Sequence, residues 1–220
     1  MSLGIIIQAR MGSTRLPGKV LKPIAGKALL DHVLGRLEGL GRDARVVVAT
    51  SLGEPDDLIA AHCRGRVSCF RGSELDVLER YFRCAEEYGF DQVVRLTADN
   101  PFTDIAELGR LIDLHLAAGY DYSHAFGMMP LGVGAEIFTM DALALSHREG
   151  HAPNHREHVN EFIQENPLRF RIGVLDVPSA KRAPQLRLTV DTPEDFARAC
   201  RLAELATPGW QTTEGAIAAC

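Results

Sequence analysis

Short apolar runs alternate with amphipathic segments over the first half of the chain. Four of the runs, at 4–9, 45–49, 67–70 and 92–97, predict strands. The first contains three consecutive isoleucines, as expected of a strand buried on both faces of a sheet. The intervening segments repeat apolar residues every three or four positions, as at Leu30, Val33 and Leu37, and therefore predict helices. This alternation predicts a three-layer α/β/α fold in which helices cover both faces of a mostly parallel sheet.

Polar residues mark where several of these helices begin. Ser73 with Asp76 resembles a capping box, and Thr103 is a candidate N-cap for the next helix. Thr192, followed by a proline and two acidic residues, predicts another helix start. Two further strands are predicted at 169–174 and 186–190.

The alternation stops in a glycine-rich stretch at 119–134. Residues 128–130 (Met-Met-Pro) predict an exposed apolar tip on a hairpin or lid, although methionines are also used to fill cores. A strand is predicted at 135–138. Since no linker divides the sequence, we expect a single domain over 1–220, with 120–138 as an excursion.

Composition and charge narrow the function classes. The chain has 220 residues, 46% of them apolar, and a net charge of −5, so it carries no general basic field for nucleic acid. Its apolar runs are too short to predict a membrane span. Five cysteines without a Cys-x-x-Cys pair predict reduced thiols, which favours the cytoplasm.

The loop after the first predicted strand has the residue types of a phosphate-binding loop. It runs from Gln8 to Leu21 and contains two glycines, Gly12 and Gly18, that let backbone N–H groups approach an anion. Its candidate catalytic side chains, which can add charge-assisted hydrogen bonds to a polyphosphate, are Arg10, Arg15 and Lys19. The other candidate nucleotide contacts in this loop are Gln8, Ala9 and Ser13.

The spacing of this loop excludes two familiar alternatives. Five residues separate Gly12 from Gly18, where a Walker A loop has four, and Val20 stands where that loop has a Ser or Thr. The loop is not a G-x-G-x-x-G dinucleotide fingerprint either. An ordinary solvated loop with basic residues remains an alternative on charge alone.

Two carboxylates follow predicted strands. Asp99 comes after the strand at 92–97, and Asp191 comes after the strand at 186–190, so both should lie at the carboxyl edge of the sheet. Mg²⁺ commonly takes one or two carboxylates together with substrate phosphates. Either aspartate could instead cap a turn or a helix.

Five segments in order resemble the cytidylyltransferases that make CMP-sugars, a family that includes CMP-Kdo and CMP-sialic acid synthetases. The similarity is greatest to the branch named for spore-coat polysaccharide biosynthesis and extends nearly to Leu205. The matching segments are 8–21, 70–78, 95–101, 157–159 and 186–193. One departure is Ala-Asp-Asn-Pro around Asn100, where the branch often has Gly-Asp-Cys-Pro.

The resemblance implies a nucleotidyltransferase of the GT-A-like, Rossmann-type fold. Its expected reaction transfers a cytidylyl group from CTP to an acidic or modified sugar, or a sugar phosphate, and gives a CMP-sugar and pyrophosphate for surface polysaccharide biosynthesis. The family pattern places Mg²⁺ ligands at Asp99 and Asp191.

The resemblance also implies roles outside the loop. The turn at Arg71 and Ser73 would contact the cytosine ring, although Ser73 could simply cap a helix. Candidate contacts for the acceptor sugar are Glu136, His158 and Asn160, with a solvated strand end as the alternative for Glu136. In relatives the excursion packs across a dimer, which favours a homodimer.

Two rival functions stay open on the sequence. One is a transferase of the same fold that uses another nucleotide, such as UTP, or a glycosyltransferase. The other is a non-catalytic paralogue that only binds sugar nucleotides. Four residues argue against this second rival: Arg10, Lys19, Asp99 and Asp191.

Overall fold

A computed structural model describes residues 1–204 and 212–220. Its strands are β1 (Leu3–Gln8), β2 (Pro23–Ile24), β3 (Lys27–Ala28), β4 (Arg45–Ser51), β5 (Ser68–Gly72), β6 (Gln92–Thr97), β7 (Tyr122–His124), β8 (Glu136–Thr139) and β9 (Ile172–Val174). Its α-helices are α1 (Leu29–Leu37), α2 (Asp57–Cys63), α3 (Val77–Tyr88), α4 (Ile105–Ala118), α5 (Met140–Glu149), α6 (Pro153–Glu157), α7 (Glu161–Glu165), α8 (Pro193–Glu204) and α9 (Thr213–Ala218).

The main sheet within these ranges has seven strands in the order β5-β4-β1-β6-β8-β7-β9. Strands β5, β4, β1 and β6 pair in parallel, β8 pairs antiparallel with both of its neighbours, and β7 pairs in parallel with β9. Only β8 therefore runs against the other six. The predicted mostly parallel sheet is confirmed.

Helices cover both faces of the sheet because successive side chains of a strand point to opposite faces. Ile5 and Ile7 of β1 belong to a core formed with α1, α2, α4 and α8. Ile6, between them, belongs to a second core formed with α3, α5 and α7. This is the predicted three-layer arrangement.

Two predicted helix caps are wrong by a few residues. The N-cap of α3 is Asp76, whose carboxylate accepts the N–H of Glu79, while the Ser73 hydroxyl accepts the N–H of Asp76 one turn earlier. Likewise Asp104, and not Thr103, caps α4. Both aspartates have extended backbone angles, which place the side-chain oxygen over the first turn.

The excursion at 120–138 contributes to the sheet. It contains β7 and the start of β8, which pair as an antiparallel hairpin. Of the two predicted forms, a hairpin or a lid, the structure shows the hairpin. Met129 and Pro130 are buried, so the predicted exposed tip at these residues is wrong, and Met129 fills the core. The exposed large apolar side chains of this excursion are Phe126 and Leu131.

The predicted strand at 186–190 is also wrong. The segment forms one isolated bridge, between Leu131 and Arg187, because its hydrogen bonds reach loops and no neighbouring strand. Leu188 N–H donates to the carbonyl of Leu131 at 2.8 Å, and Val190 N–H donates to the carbonyl of Asp99 at 2.9 Å. The last bond brings the residue after Val190, Asp191, next to Asp99.

Within the described ranges, no helix combines the length and the apolar character needed to cross a bilayer.

Candidate active site

A cavity of about 490 Å³ opens at the carboxyl ends of β1 and β6. This is where open α/β sheets bind their ligands. The phosphate loop and the two aspartates supply ten of the predicted site residues. Eight of the ten line the cavity: Gln8, Arg10, Gly12, Ser13, Arg15, Lys19, Asp99 and Asp191. The other two, Ala9 and Gly18, do not line it. Thr97, Arg95, His158 and Thr189 line it as well.

The loop folds back on itself through Met11. The carbonyl of Met11 accepts the N–H of Ser13 at 2.9 Å and the N–H of Gly18 at 3.0 Å. Gly18 has a φ of 67°, a left-handed conformation that glycine adopts without strain, and it begins a short 3₁₀ turn at Lys19–Leu21. The turn directs the Lys19 side chain inward, where it is buried.

Asp56 anchors the start of the loop, and sequence reasoning missed it. Its carboxylate accepts the N–H of Met11 at 2.7 Å and the N–H of Ser51 at 3.0 Å, and the residue is 3% exposed. Burial raises the pKa of Asp56, but these hydrogen bonds outweigh it and hold the pKa below its ordinary value. The sequence next to it, with Pro55, is typical of a helix start and gives no sign of this contact.

The two aspartates converge on Lys19. The Nζ atom of Lys19 lies 2.6 Å from Oδ2 of Asp99 and 2.7 Å from Oδ1 of Asp191. The other oxygen of Asp99 accepts the hydroxyl of Thr97 at 2.6 Å. Two carboxylates and an ammonium group from three separate chain segments thus meet at one point of the cavity wall.

Asp191 is surrounded by cations. Besides Lys19, Arg15 lies 3.3 Å from its Oδ1 and Arg187 pairs with its Oδ2. Burial raises the pKa of Asp191, but the hydrogen bond and charge of Lys19, with the charges of the two arginines, lower the pKa below its ordinary value. Asp191 therefore stays ionised at neutral pH.

A capping box holds the turn that carries Asp191. Asp195 N–H donates to the Thr192 hydroxyl at 3.2 Å, and the Asp195 carboxylate accepts the N–H groups of Thr192 and Asp191, each at 3.1 Å. The predicted helix start at Thr192 is confirmed. The alternative of a capping role belongs to Asp195 and Thr192, which leaves the Asp191 side chain free to face the cavity.

The chemistry of this oxygen pair fits a divalent cation. Asp99 and Asp191 each direct an oxygen to the same point, and Mg²⁺ is held by one or two carboxylates plus phosphates in nucleotide enzymes. Among the described residues there is no group of three or more His, Cys, Asp or Glu side chains that could hold a metal without such phosphates.

A family model described as cytidylyltransferase matches residues 4–212. The chain belongs to the cytidylyltransferase family. A member of this family is a nucleotidyltransferase, as the resemblance implied.

Individual relatives agree with this assignment. The spore coat polysaccharide biosynthesis protein SpsF of Bacillus subtilis is 41% identical over 198 residues, which cover 87% of this chain and 82% of that protein. The 3-deoxy-manno-octulosonate cytidylyltransferase of Yersinia pseudotuberculosis is 39% identical over 65% of this chain and 57% of its own length. A solved cytidylyltransferase from Leptospira borgpetersenii superposes with a TM-score of 0.92 at 32% identity, covering 100% of this chain and 93% of that one.

The side chains of the predicted base-contacting turn are engaged outside the cavity of this cytidylyltransferase. Arg71 donates to the carbonyls of Ser51 at 2.8 Å and Gly53 at 2.9 Å and pairs with Asp57. Neither Arg71 nor Ser73 lines the cavity. Arg71 thus ties β5 to the turn after β4, and a contact from it to cytosine stays a prediction.

The three predicted sugar contacts are placed differently. His158 lines the cavity. Glu136 is fully buried, so the alternative of a solvated strand end is wrong: its carboxylate pairs with Arg95 and accepts the Tyr122 hydroxyl at 2.6 Å. Asn160 donates to the same hydroxyl at 3.2 Å. Glu136 and Asn160 therefore support Arg95, which lines the cavity and which sequence reasoning missed.

The signal for Arg95 was present in the strand itself. It is a charged residue within the run Gln92–Thr97, whose other central residues are apolar and buried. A buried charge needs a partner, and Glu136 of the neighbouring strand β8 supplies it.

Proposed function

We propose that this cytidylyltransferase transfers a cytidylyl group from CTP to a hydroxyl or phosphate of an acidic or modified sugar, releasing pyrophosphate, with Mg²⁺ held by Asp99 and Asp191. The observation that carries the proposal is the convergence of Lys19 with both aspartates at the end of a glycine-containing loop. A triphosphate needs cationic donors, and a divalent metal needs oxygen ligands. The cavity presents both side by side.

The chemical step is an in-line attack of the acceptor oxygen on the α-phosphorus. The loop backbone near Gly12, with Arg10, Arg15 and Lys19, orients the triphosphate and offsets its charge. When bound, the metal would offset the charge that develops on the leaving pyrophosphate. Ser13 and Gly18 shape the loop so that these groups face the cavity.

The acceptor would lie at the end of the cavity formed by Arg95 and His158. Arg95 is neutralised by buried Glu136, so this end offers fixed hydrogen-bond donors for hydroxyl or acidic groups. A sugar acceptor is supported by the relatives, one named for polysaccharide biosynthesis and one named as a 3-deoxy-manno-octulosonate cytidylyltransferase.

Pyrophosphate release from CTP, in the presence of Mg²⁺ and a panel of acidic sugars, tests the proposal. Lys19→Ala should reduce release by about a hundredfold or more, because it removes a buried cation from the triphosphate site. Lys27→Ala is the matched control: this exposed lysine lies outside the cavity. Release that persists in Lys19→Ala would contradict the assigned role.

The same assay separates the rival functions. Faster release from UTP than from CTP would favour a transferase for another nucleotide. Absence of release with every nucleotide and acceptor would favour a sugar-nucleotide-binding paralogue.

We further propose a homodimer that uses the 120–138 hairpin, and a cytoplasmic location. Exposed Phe126 on the hairpin supports the first, and five free thiols among the described residues support the second. Sedimentation velocity would test the first: Phe126→Glu should shift a dimer towards monomer.

A further inference from the structure

The Lys19 ammonium group lies between the two proposed metal ligands. Its side chain is 9% exposed, and its Nζ atom is within 2.7 Å of an oxygen of each aspartate. The remaining oxygens are engaged elsewhere, one by Thr97 and one by Arg187. The oxygens of Asp99 and Asp191 that face each other are therefore the two that hold Lys19.

An ammonium group and a divalent cation compete for these oxygens. Mg²⁺ binds oxygen at about 2.0–2.1 Å and demands near-ideal geometry. Two like charges a few ångströms apart inside a partly buried site repel strongly. A cation can therefore bind to this pair only when the Lys19 side chain leaves it.

A bound polyphosphate would offer the Lys19 ammonium group other hydrogen-bond acceptors. The backbone of Lys19 is held by the Gly18 turn, so its ammonium group can move only by rotation of its side chain. The phosphate loop surrounds it, and phosphate oxygens there would accept its hydrogen bonds in place of the carboxylates.

We infer that Lys19 excludes the divalent cation from Asp99 and Asp191 in the nucleotide-free protein. When a triphosphate binds, the Lys19 ammonium group moves to it and leaves both carboxylates to the cation. Metal and nucleotide then bind with positive coupling, which is reciprocal by thermodynamic linkage. The inference rests on the proposed metal role of the two aspartates. It adds a second role for Lys19, beyond holding phosphate, in setting when the metal binds.

The test is Mn²⁺ binding to the nucleotide-free protein, followed by electron paramagnetic resonance. The Lys19→Met variant keeps the length of the side chain and removes its charge. It should bind one Mn²⁺ about tenfold or more tightly than the natural protein, within the usual range of coupling between sites. Adding Asp191→Asn to Lys19→Met should abolish this gain, which locates the ion.

Arg15→Met is the matched control. It also removes a cation that contacts Asp191, but Arg15 is 61% exposed and contacts only one of the two aspartates. Mn²⁺ affinity should change by less than about threefold, as expected for an exposed ion pair.

Equal Mn²⁺ affinity of the natural protein and Lys19→Met would overturn the inference. Lys19→Gln provides a second uncharged variant if Lys19→Met does not fold, and thermal melting checks both. Because the measurement contains no nucleotide, its failure would leave the proposed CTP reaction standing. Conversely, absence of CTP turnover would leave the measured metal competition intact.

Discussion

At the residue scale, single atoms decide how closely the site loops approach one another. Gly132 lies where the loop after β7 passes the 186–190 segment. A Cβ atom on it would be 2.6 Å from the backbone N of Thr189, and its φ is 94°. Gly12, which also lines the cavity, would meet nothing within 4 Å.

Gly132→Ala should lower the free energy of unfolding by about 2 kcal/mol, because it combines backbone strain with a clash against main-chain atoms. Gly12→Ala is the control, expected to stay within about 0.5 kcal/mol of the natural protein. Urea denaturation measures both. Equal stability of the two variants would mean that the loops at Gly132 and Thr189 are not in close contact.

Asp56→Asn should destabilise the protein by about 2 kcal/mol at pH 7, since an amide cannot accept both N–H groups that the carboxylate holds. The folded-state pKa of Asp56 is lowered, so its stabilisation is present above about pH 3.8 and is lost as the pH falls towards the lowered pKa. The difference in the free energy of unfolding between the natural protein and Asp56→Asn should therefore narrow below pH 3.8.

Urea denaturation over this pH range gives the measurement for Asp56. Asp57→Asn, a neighbouring exposed carboxylate paired with Arg71, is the control and should cost no more than about 1 kcal/mol. A gap that stays constant down to acidic pH would show that the Asp56 charge contributes nothing.

At the element scale, a buried histidine connects α4 to the sheet. His115 of α4 bonds Ser123 of β7 through Nδ1 and Gln92 of β6 through Nε2, both at 2.9 Å. Burial lowers its pKa to about 4, with a smaller opposing effect from the charge of Asp121. The folded protein therefore keeps this ring neutral where the unfolded chain protonates it.

Stability should fall as the pH decreases from 6.5 to about 4, because the unfolded state binds a proton on His115 that the folded state refuses. His115→Gln should weaken this dependence. His151→Gln, at an exposed position, is the control. Urea midpoints at several pH values give the measurement, and an unchanged slope in His115→Gln would contradict the prediction.

At the scale of the whole molecule, the cavity joins segments that lie far apart in the chain. The phosphate loop, the end of β6 and the 186–191 segment meet through Lys19 and the Val190 to Asp99 hydrogen bond. A ligand that contacts all three segments binds the folded state and not the unfolded chain, and it therefore stabilises the protein against unfolding.

CTP with Mg²⁺ should therefore raise the melting temperature, by a stabilisation of about 2.7 kcal/mol at a concentration one hundred times its Kd. UTP, GTP and ATP should raise it less. Asp191→Asn should remove most of the Mg²⁺-dependent part of the shift. Equal shifts with all four nucleotides would indicate that the site reads the triphosphate and not the base.

Local sequence patterns predicted much of the fold. The strand at 92–97 has the predicted bounds, and the helix through Leu30, Val33 and Leu37 forms as its spacing requires. The strand predicted at 186–190 does not form, because strand-like residues form a strand only where a neighbouring strand is available. The predicted exposed tip failed in the same way, because burial of Met129 depends on distant partners.

The sequence by itself determined the family and singled out the candidate phosphate loop and the two candidate aspartates, because each is recognised from residue types at short spacing. Only the tertiary structure decided that Lys19 lies between Asp99 and Asp191, that Asp56 anchors the loop, and that Glu136 supports Arg95. Each of these contacts joins residues at least 41 positions apart. Local spacing contains no information about such pairs, because the packing of the whole sheet brings them together.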